Sequence, residues 1–252
     1  MTRVFIYGTN SDMAIALAKK NSRLRTLLLS AVVGAFVGAF WARLRHGAST
    51  PVHGWHDFLV SREHAGFPPG ILVSILFLAL FSVYWEAAAK NAAETKTQES
   101  RVSRGIHLTL VTAAQILLLF PIPGLRTRIL PNGNVLTAIG LVVEVAFLFL
   151  AVWARQLLGR NWSAAVAIKV DQALIRSGPY RFVRHPIYSG ILGAYAGIAI
   201  ISGEVHAPLG LILVCAAYWR KIRIEERYLS TVFGSAYSEY QADVSAIIPG
   251  VL

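Results

Sequence analysis

The sequence predicts an all-α fold, a polytopic integral membrane helical bundle with about six membrane segments. Composition is the first reason: 55% of the 252 residues are hydrophobic and 15% are charged, whereas soluble domains carry about 25% charged residues. The second reason is run length, because a helix needs about 20 apolar residues to cross a bilayer. The apolar runs occupy residues 26–42, 65–85, 105–125, 129–154, 186–203 and 205–219.

The last two apolar runs are separated by Glu204 alone, which predicts a tight helical hairpin and leaves open whether it spans the membrane fully. The chain then divides into three parts. Residues 1–25 form a cytoplasmic or interfacial segment, residues 26–157 hold four membrane helices, and residues 158–252 form the region with the chemistry.

The basic residues alternate along the chain. The odd-numbered segments between apolar runs hold 19 of the lysines and arginines, and the even-numbered segments hold 5. By the positive-inside rule, this asymmetry predicts that both termini are cytoplasmic, in an inner or plasma membrane or an endomembrane. The net charge of +11 is therefore a topology signal that favours contact with anionic membrane lipids. A nucleic-acid partner is not expected, because no soluble basic domain is predicted.

Two groups of polar residues call for a choice of interpretation. Four histidines fall in the first predicted loop, at His46, His53, His56 and His64, without cysteines beside them. Zinc sites have more complete ligand sets, so we expect an exposed loop and no metal. Glu144 lies within an apolar run, where an ionisable side chain is costly. It is either functional or hydrogen-bonded between helices, to Gln115 or Thr112.

The residues that suggest chemistry come after position 158. Ser177, Gly178 and Pro179 form a turn signal. His185 before Pro186 disfavours helix at the histidine and lets the proline open the next helix. This arrangement gathers polar and aromatic side chains at the cytoplasmic mouth of that helix. In the following charged helix, residues 221 and 225 share a face, whereas the neighbouring acids 225 and 226 point about 100° apart.

The region from residue 158 to residue 249 resembles the isoprenylcysteine carboxyl methyltransferase family, which shares its C-terminal pattern with phospholipid N-methyltransferases. The resemblance covers about 90 residues. The matching positions are residues 178–190, with the sequence GPYRFVRHPIYSG, then Glu225, Glu226, Leu229, Phe233, Gly234, Tyr237, Tyr240 and Pro249.

The resemblance implies S-adenosyl-L-methionine as cofactor and a lipophilic acceptor that enters from the bilayer. It implies cofactor contacts from a strip before the turn, from the turn and helix start, and from one acid. These residues are Gln172, Ala173, Leu174, Ile175, Tyr180, His185, Pro186, Ile187, Tyr188 and Glu225. The family's substrate-contacting arginine corresponds to Lys221, beside Arg220, and lysine offers a point charge rather than a bidentate fork.

The expected reaction is O-methylation of a carboxylate, on an isoprenylcysteine-like or other lipophilic acceptor. A carboxylate is ionised at neutral pH and needs no base, and Arg220 or Lys221 would orient it. Two alternatives stay open. The first is methylation of a lipid amine or a small thiol, for which His185 is the one obvious base in the matched segment. The second is a non-catalytic membrane protein or transporter that keeps the fold. The oligomeric state is not predicted.

Overall fold

The computed structural model describes residues 68–89, 95–122, 124–162, 167–169 and 173–251. The first predicted segment, the N-terminal 25 residues, the first-loop histidines and Gln172 lie outside these ranges. We number the described elements in chain order. They are α1 (Pro69–Ala89), β1 (Thr95–Gln98), α2 (Arg101–Leu119), α3 (Asn134–Leu158), β2 (Ala167–Lys169), α4 (Pro186–Ser202), α5 (His206–Phe233) and α6 (Ser235–Asp243).

Three of the described helices are long and apolar enough to cross a membrane. They are α1, α2 and α3, the last continued by one further turn to Asn161. They correspond to the second, third and fourth predicted segments, as expected of an integral membrane protein. α4 is also apolar but shorter, at 17 residues. α5 begins after a three-residue connection and continues for 28 residues into the charged region.

Two boundaries differ from the predicted ones because of proline and glycine. α2 ends at Leu119, six residues before the predicted end, since Phe120 is extended and is followed by Pro121. A residue before proline disfavours the helical conformation. α3 starts at Asn134, after Gly133, rather than at residue 129.

The described chain is helical except for one small antiparallel sheet. β1 pairs with β2, and these strands come from two different segments that the charge pattern assigns to the same side of the membrane. At the other end of the bundle, Ile129 N–H donates to the Gly203 carbonyl at 2.8 Å, and Val205 N–H donates to the Thr127 carbonyl at 3.0 Å. The connections that contain β1 and β2 therefore lie together at one end of the helices, and the connections around residues 128 and 204 lie together at the other end. This grouping is the one that helices of alternating direction require.

α3 and α4 pack with their backbones in close approach. A Cβ atom built at Gly197 would lie 2.5 Å from the Gly140 carbonyl oxygen, and one at Gly190 would lie 2.6 Å from the Phe147 carbonyl oxygen. Small residues allow this approach between membrane helices, where association depends on van der Waals packing. The contact holds the beginning of α4 firmly against α3.

Glu144 is completely buried on α3, and its hydrogen-bond partner is on α1. Ser74 Oγ donates to Glu144 Oε2 at 2.6 Å. The prediction that Glu144 is hydrogen-bonded between helices is confirmed, but the suggested partners, Gln115 and Thr112, are wrong. Gln115 donates instead to the Tyr195 hydroxyl at 2.7 Å. Residues on α1, not α2, face α3 at this height. Glu144 thus joins two membrane helices and lies outside the cluster described next.

Candidate active site

The turn before α4 is built by the Ser-Gly-Pro sequence. Gly178 has φ of +60°, a left-handed conformation that glycine adopts without strain. A side chain there would also collide with Leu157, whose Cδ1 would be 2.4 Å from the new Cβ. The turn brings Tyr180 into the interior, where its hydroxyl donates to the Ala154 carbonyl at 3.3 Å. Burial raises the pKa of Tyr180 well above its usual value, so this hydroxyl stays protonated.

His185 ends the turn and Pro186 starts α4, as the sequence predicts. His185 is non-helical, with φ −124° and ψ 57°, and Pro186 occupies the first turn. The C-terminal residues complete this region: Arg184 N–H and His185 N–H donate to the carbonyls of Ser245 and Ala246, at 2.8 and 2.9 Å. The two backbone amides that directly precede α4 are therefore satisfied by residues 245 and 246.

Glu225 and Glu226 on α5 hold different partners, which agrees with their divergence on the helix. Glu226 Oε1 accepts hydrogen bonds from Arg184 Nε and Nη2, at 3.0 and 2.8 Å, and lies 3.3 Å from His185 Nε2. Burial alone would raise the pKa of Glu226, but the hydrogen bonds from His185 and Arg184 outweigh it and lower the pKa. Glu226 is therefore a structural anion that joins α5 to the turn.

Glu225 faces the aromatic side chains of α4. The Tyr188 hydroxyl donates to Glu225 Oε2 at 2.6 Å. His185 Nδ1 lies 3.9 Å from the same oxygen. The Glu225 side chain is 31% exposed, whereas that of His185 is 4% exposed. The Glu225 carboxylate is thus partly exposed, whereas His185 beside it is buried.

An aromatic stack connects this carboxylate with a lysine. The His185 and Tyr188 rings are stacked with centroids 5.6 Å apart, and Tyr188 contacts Tyr218 at 5.1 Å. Lys221 Nζ lies 5.6 Å from the centroid of the Tyr188 ring. Burial lowers the pKa of Lys221. Tyr188 therefore touches an anion through its hydroxyl and a cation through its face.

The strip before the turn lies beside the same region. Ala173 N–H donates to Asn161 Oδ1 at 3.2 Å. Ile175 packs on a buried apolar cluster that includes Trp162, Tyr180 and Ile187. Leu174 is half-buried and Pro186 is buried. The strip therefore packs against the turn and the beginning of α4 through Ile175.

The structure brings His185, Tyr188, Lys221 and Glu225 together, but Arg220 points elsewhere. Arg220 Nη2 donates to Ser103 Oγ at 3.0 Å, and Nη1 donates to the Ser103 carbonyl at 3.3 Å. Among the described residues, no group of three or more possible metal ligands occurs.

Sequence reasoning missed three contributors to this site. Arg184 lies inside the matched motif, next to His185, and that position was the available signal. No sequence pattern indicated Tyr218 or His107, because their contacts with the site depend on which helices pack against each other. His107 on α2 contacts Tyr218 edge-on, with centroids 5.1 Å apart.

Comparison with known proteins gives a consistent result. The family described as phospholipid methyltransferase matches residues 135–236. The protein-S-isoprenylcysteine O-methyltransferase of Saccharomyces cerevisiae is 29% identical over 45% of this chain and 48% of its own length. Protein-S-isoprenylcysteine O-methyltransferase A of Arabidopsis thaliana is 26% identical over 72% of this chain and 92% of its own length.

A solved structure also aligns with the chain, that of the eukaryotic intramembrane Ras methyltransferase ICMT (isoprenylcysteine carboxyl methyltransferase). The TM-score is 0.49 at 21% identity, over 96% of this chain and 88% of the other. The chain spans about half the length of the yeast relative. Residues 135–236 are thus similar to the phospholipid methyltransferase family, and these two relatives of the chain are protein-S-isoprenylcysteine O-methyltransferases.

Proposed function

We propose that this protein is an S-adenosyl-L-methionine-dependent methyltransferase of the membrane that O-methylates a lipophilic carboxylate, such as that of an isoprenylcysteine. One observation supports this proposal above the others. Tyr188 contacts both the partly exposed Glu225 carboxylate and the Lys221 amine, so the proposed cofactor site and the proposed acceptor site would adjoin.

The residues fit the cofactor by their chemistry. Glu225 offers an open carboxylate oxygen for the hydroxyl or ammonium groups of S-adenosyl-L-methionine, and Tyr188 holds it in place. His185 lies 3.9 Å from the same carboxylate oxygen and stacks on Tyr188, so it would help to position Glu225. Tyr180, Pro186, Ile187 and the strip Gln172, Ala173, Leu174 and Ile175 complete the proposed binding region. When bound, the cofactor would supply a methyl group on a positively charged sulfur, and breaking the sulfur–methyl bond would leave S-adenosylhomocysteine, a neutral thioether.

The protein then has two tasks, to hold the acceptor oxygen in line with the methyl group and to exclude water. Positioning of this kind can contribute about 7–11 kcal/mol to lowering the barrier. Lys221 is the proposed acceptor-binding cation, with Arg220 beside it on α5. A carboxylate acceptor gives its lone pair to the methyl carbon and releases no proton, so no base is required. An ammonium acceptor would be repelled by Lys221.

The membrane arrangement supports access for an apolar acceptor. We infer six membrane segments with α4 and the start of α5 as the terminal hairpin, and both termini in the cytoplasm. In this proposal residues 158–252 form the cofactor-binding region, and residues 26–157, which precede it in the chain, hold the four N-terminal helices. The cofactor would enter from the cytoplasm and the acceptor's apolar tail would enter from the lipid.

The test is transfer of labelled methyl groups to three acceptors in parallel, a prenylated cysteine, a phosphatidylethanolamine and a hydrophobic thiol. We expect a base-labile methyl ester on the prenylated cysteine alone. Methylation of the amine or thiol alone would replace the proposed acceptor class. Absence of S-adenosylhomocysteine binding by calorimetry would contradict the methyltransferase proposal and favour a non-catalytic protein.

A further inference from the structure

α2 is tied to α5 at two positions next to the proposed acceptor site. His107 Nδ1 lies 3.3 Å from the Ala217 carbonyl oxygen. Because a carbonyl only accepts, Nδ1 must carry the proton and donate it. Ser103 receives both guanidinium contacts of Arg220, at 3.0 and 3.3 Å. Ser103 and His107 are four residues apart, so they lie on one face of α2.

The Ser103 tie is part of a larger network. Ser103 Oγ donates to Glu99 Oε2 at 2.8 Å while it accepts from Arg220. Ser100 caps α2, since its side chain accepts from Ser103 N–H at 3.1 Å. Ser103 is thereby oriented by groups on both sides, and Arg220 is held at the first turn of α2.

The tied stretch of α5 carries the side chains that face Tyr188. In an α-helix the Ala217 carbonyl is the acceptor for the Lys221 N–H, so His107 binds at the turn that directly precedes Lys221. Tyr218, the residue after Ala217, is packed between the His107 and Tyr188 rings, at 5.1 Å from each. His107 therefore reaches the site through α5 and Tyr218, without touching Glu225.

Two ties at different heights fix the rotation of a helix better than one. One residue of rotation on a helix turns a side chain by about 100°, so a small rotation of α5 would carry Lys221 away from the Tyr188 face. His107 is buried, at 7% exposure, which makes its single hydrogen bond hard for water to replace.

On the basis of the proposed function, we propose that His107 and Ser103 are positioning residues for the acceptor cation. They hold α5 so that Lys221 lies over Tyr188. Arg220 belongs to this tie between the helices, and Lys221 alone contacts the acceptor carboxylate. The cofactor side, anchored by Glu225 and Glu226, does not depend on α2.

The first test is a double-mutant cycle on methyl transfer to the prenylated cysteine. His107→Leu should reduce turnover with the acceptor about tenfold, which is about 1.4 kcal/mol, and leave S-adenosylhomocysteine affinity unchanged. In a Lys221→Ala background, His107→Leu should cause no further loss, because residues that act through each other are non-additive. Ser103→Ala should behave in the same way.

Two variants separate positioning from general stability. His107→Asn keeps an N–H donor near the Ala217 carbonyl and should recover part of the turnover lost in His107→Leu. Leu108→Ala changes an exposed neighbour on α2 and should match the wild type. If His107→Leu does not fold, the cycle is carried by Ser103→Ala. Additive losses in the two backgrounds would overturn the inference.

A second measurement does not depend on turnover. The rate at which an acylating reagent modifies Lys221, followed by mass spectrometry, should change severalfold in His107→Leu and stay at the wild-type rate in Leu108→Ala. Equal rates in wild type and His107→Leu would overturn the inference. If the wild type binds S-adenosylhomocysteine and the variants show additive losses, the positioning role alone is refuted. If the wild type does not bind S-adenosylhomocysteine, the proposed function is refuted, and the labelling rates of Lys221 then decide the positioning role.

Discussion

The hydroxyl of Tyr188 on α4 donates a 2.6 Å hydrogen bond to Oε2 of Glu225 on α5. This contact crosses from the helix that starts at the turn to the helix that carries the acidic pair. It predicts that Tyr188→Phe, which keeps the ring, weakens S-adenosylhomocysteine binding by about 1–3 kcal/mol because a hydrogen bond to a charged group is lost. Isothermal titration calorimetry in detergent measures this loss.

The control for Tyr188→Phe is Tyr195→Phe. Tyr195 also lies on α4 and accepts a hydrogen bond from Gln115, away from the site. Its loss should lower thermal stability without changing the affinity. Equal affinity in Tyr188→Phe and wild type would show that cofactor binding does not require the Tyr188 hydroxyl to orient Glu225.

The Glu226 carboxylate predicts how stability depends on acid. Its pKa in the folded protein is below the usual value of 4.5, so the ionised form is favoured by folding. The stability that it contributes is complete above the unfolded pKa and disappears as the pH falls through the lower, folded pKa. Thermal unfolding between pH 7 and pH 3 (about the range in which carboxylates titrate) should therefore show a midpoint that drops mainly at the acid end.

Glu226→Gln should remove part of this acid dependence and lower the midpoint at neutral pH, because Arg184 keeps a weaker, neutral partner. Glu239→Gln, at an exposed position of α6, is the matched control and should follow the wild type. An unchanged acid limb in Glu226→Gln would show that other carboxylates dominate it.

The close approach of α3 and α4 predicts a large effect from one methyl group. In Gly197→Ala the new Cβ would meet the Gly140 carbonyl at 2.5 Å and the Glu144 nitrogen at 2.7 Å, so the helices must separate. Overpacking of this kind costs about 1–3 kcal/mol. Gly105→Ala, with nothing within 4 Å of its Cβ, should instead leave stability unchanged or raise it slightly. Thermal unfolding in detergent distinguishes the two substitutions, and equal midpoints would contradict the packing argument.

The grouping of connections predicts which residues share a side of the membrane. In a Cys215→Ala background, cysteines placed at Ser100 and Ser177 should react with an impermeant reagent from one side, and a cysteine at Asn132 from the other. All three positions are exposed. Labelling of Ser100→Cys and Asn132→Cys from the same side would exclude the alternating arrangement, and the reactive side in intact cells reports the orientation.

Much of the architecture could be predicted because its signals are local. Apolar run length predicted the helices from residue 69 to residue 158, and Pro186 predicted the start of α4 to the residue. The end of α2 was missed although Pro121 was visible, because hydrophobicity continued past it. The site could be predicted only as far as the motif extends. That Arg184 pairs with Glu226, and that Arg220 turns to Ser103, depends on the rotation of packed helices, which sequence periodicity does not specify.

The hydrogen bonds from Arg184 and His185 to Ser245 and Ala246 have a consequence for biosynthesis. Arg184 and His185 each precede their carbonyl partners, Ser245 and Ala246, by 61 residues in the chain. While residues 245–247 are still within the ribosome and its exit channel, the Arg184 and His185 amides lack their acceptors, and the Ser189 hydroxyl lacks the Ile247 carbonyl. The turn before α4 therefore completes its hydrogen bonding only after residues 245–247 have been synthesised and have packed against it.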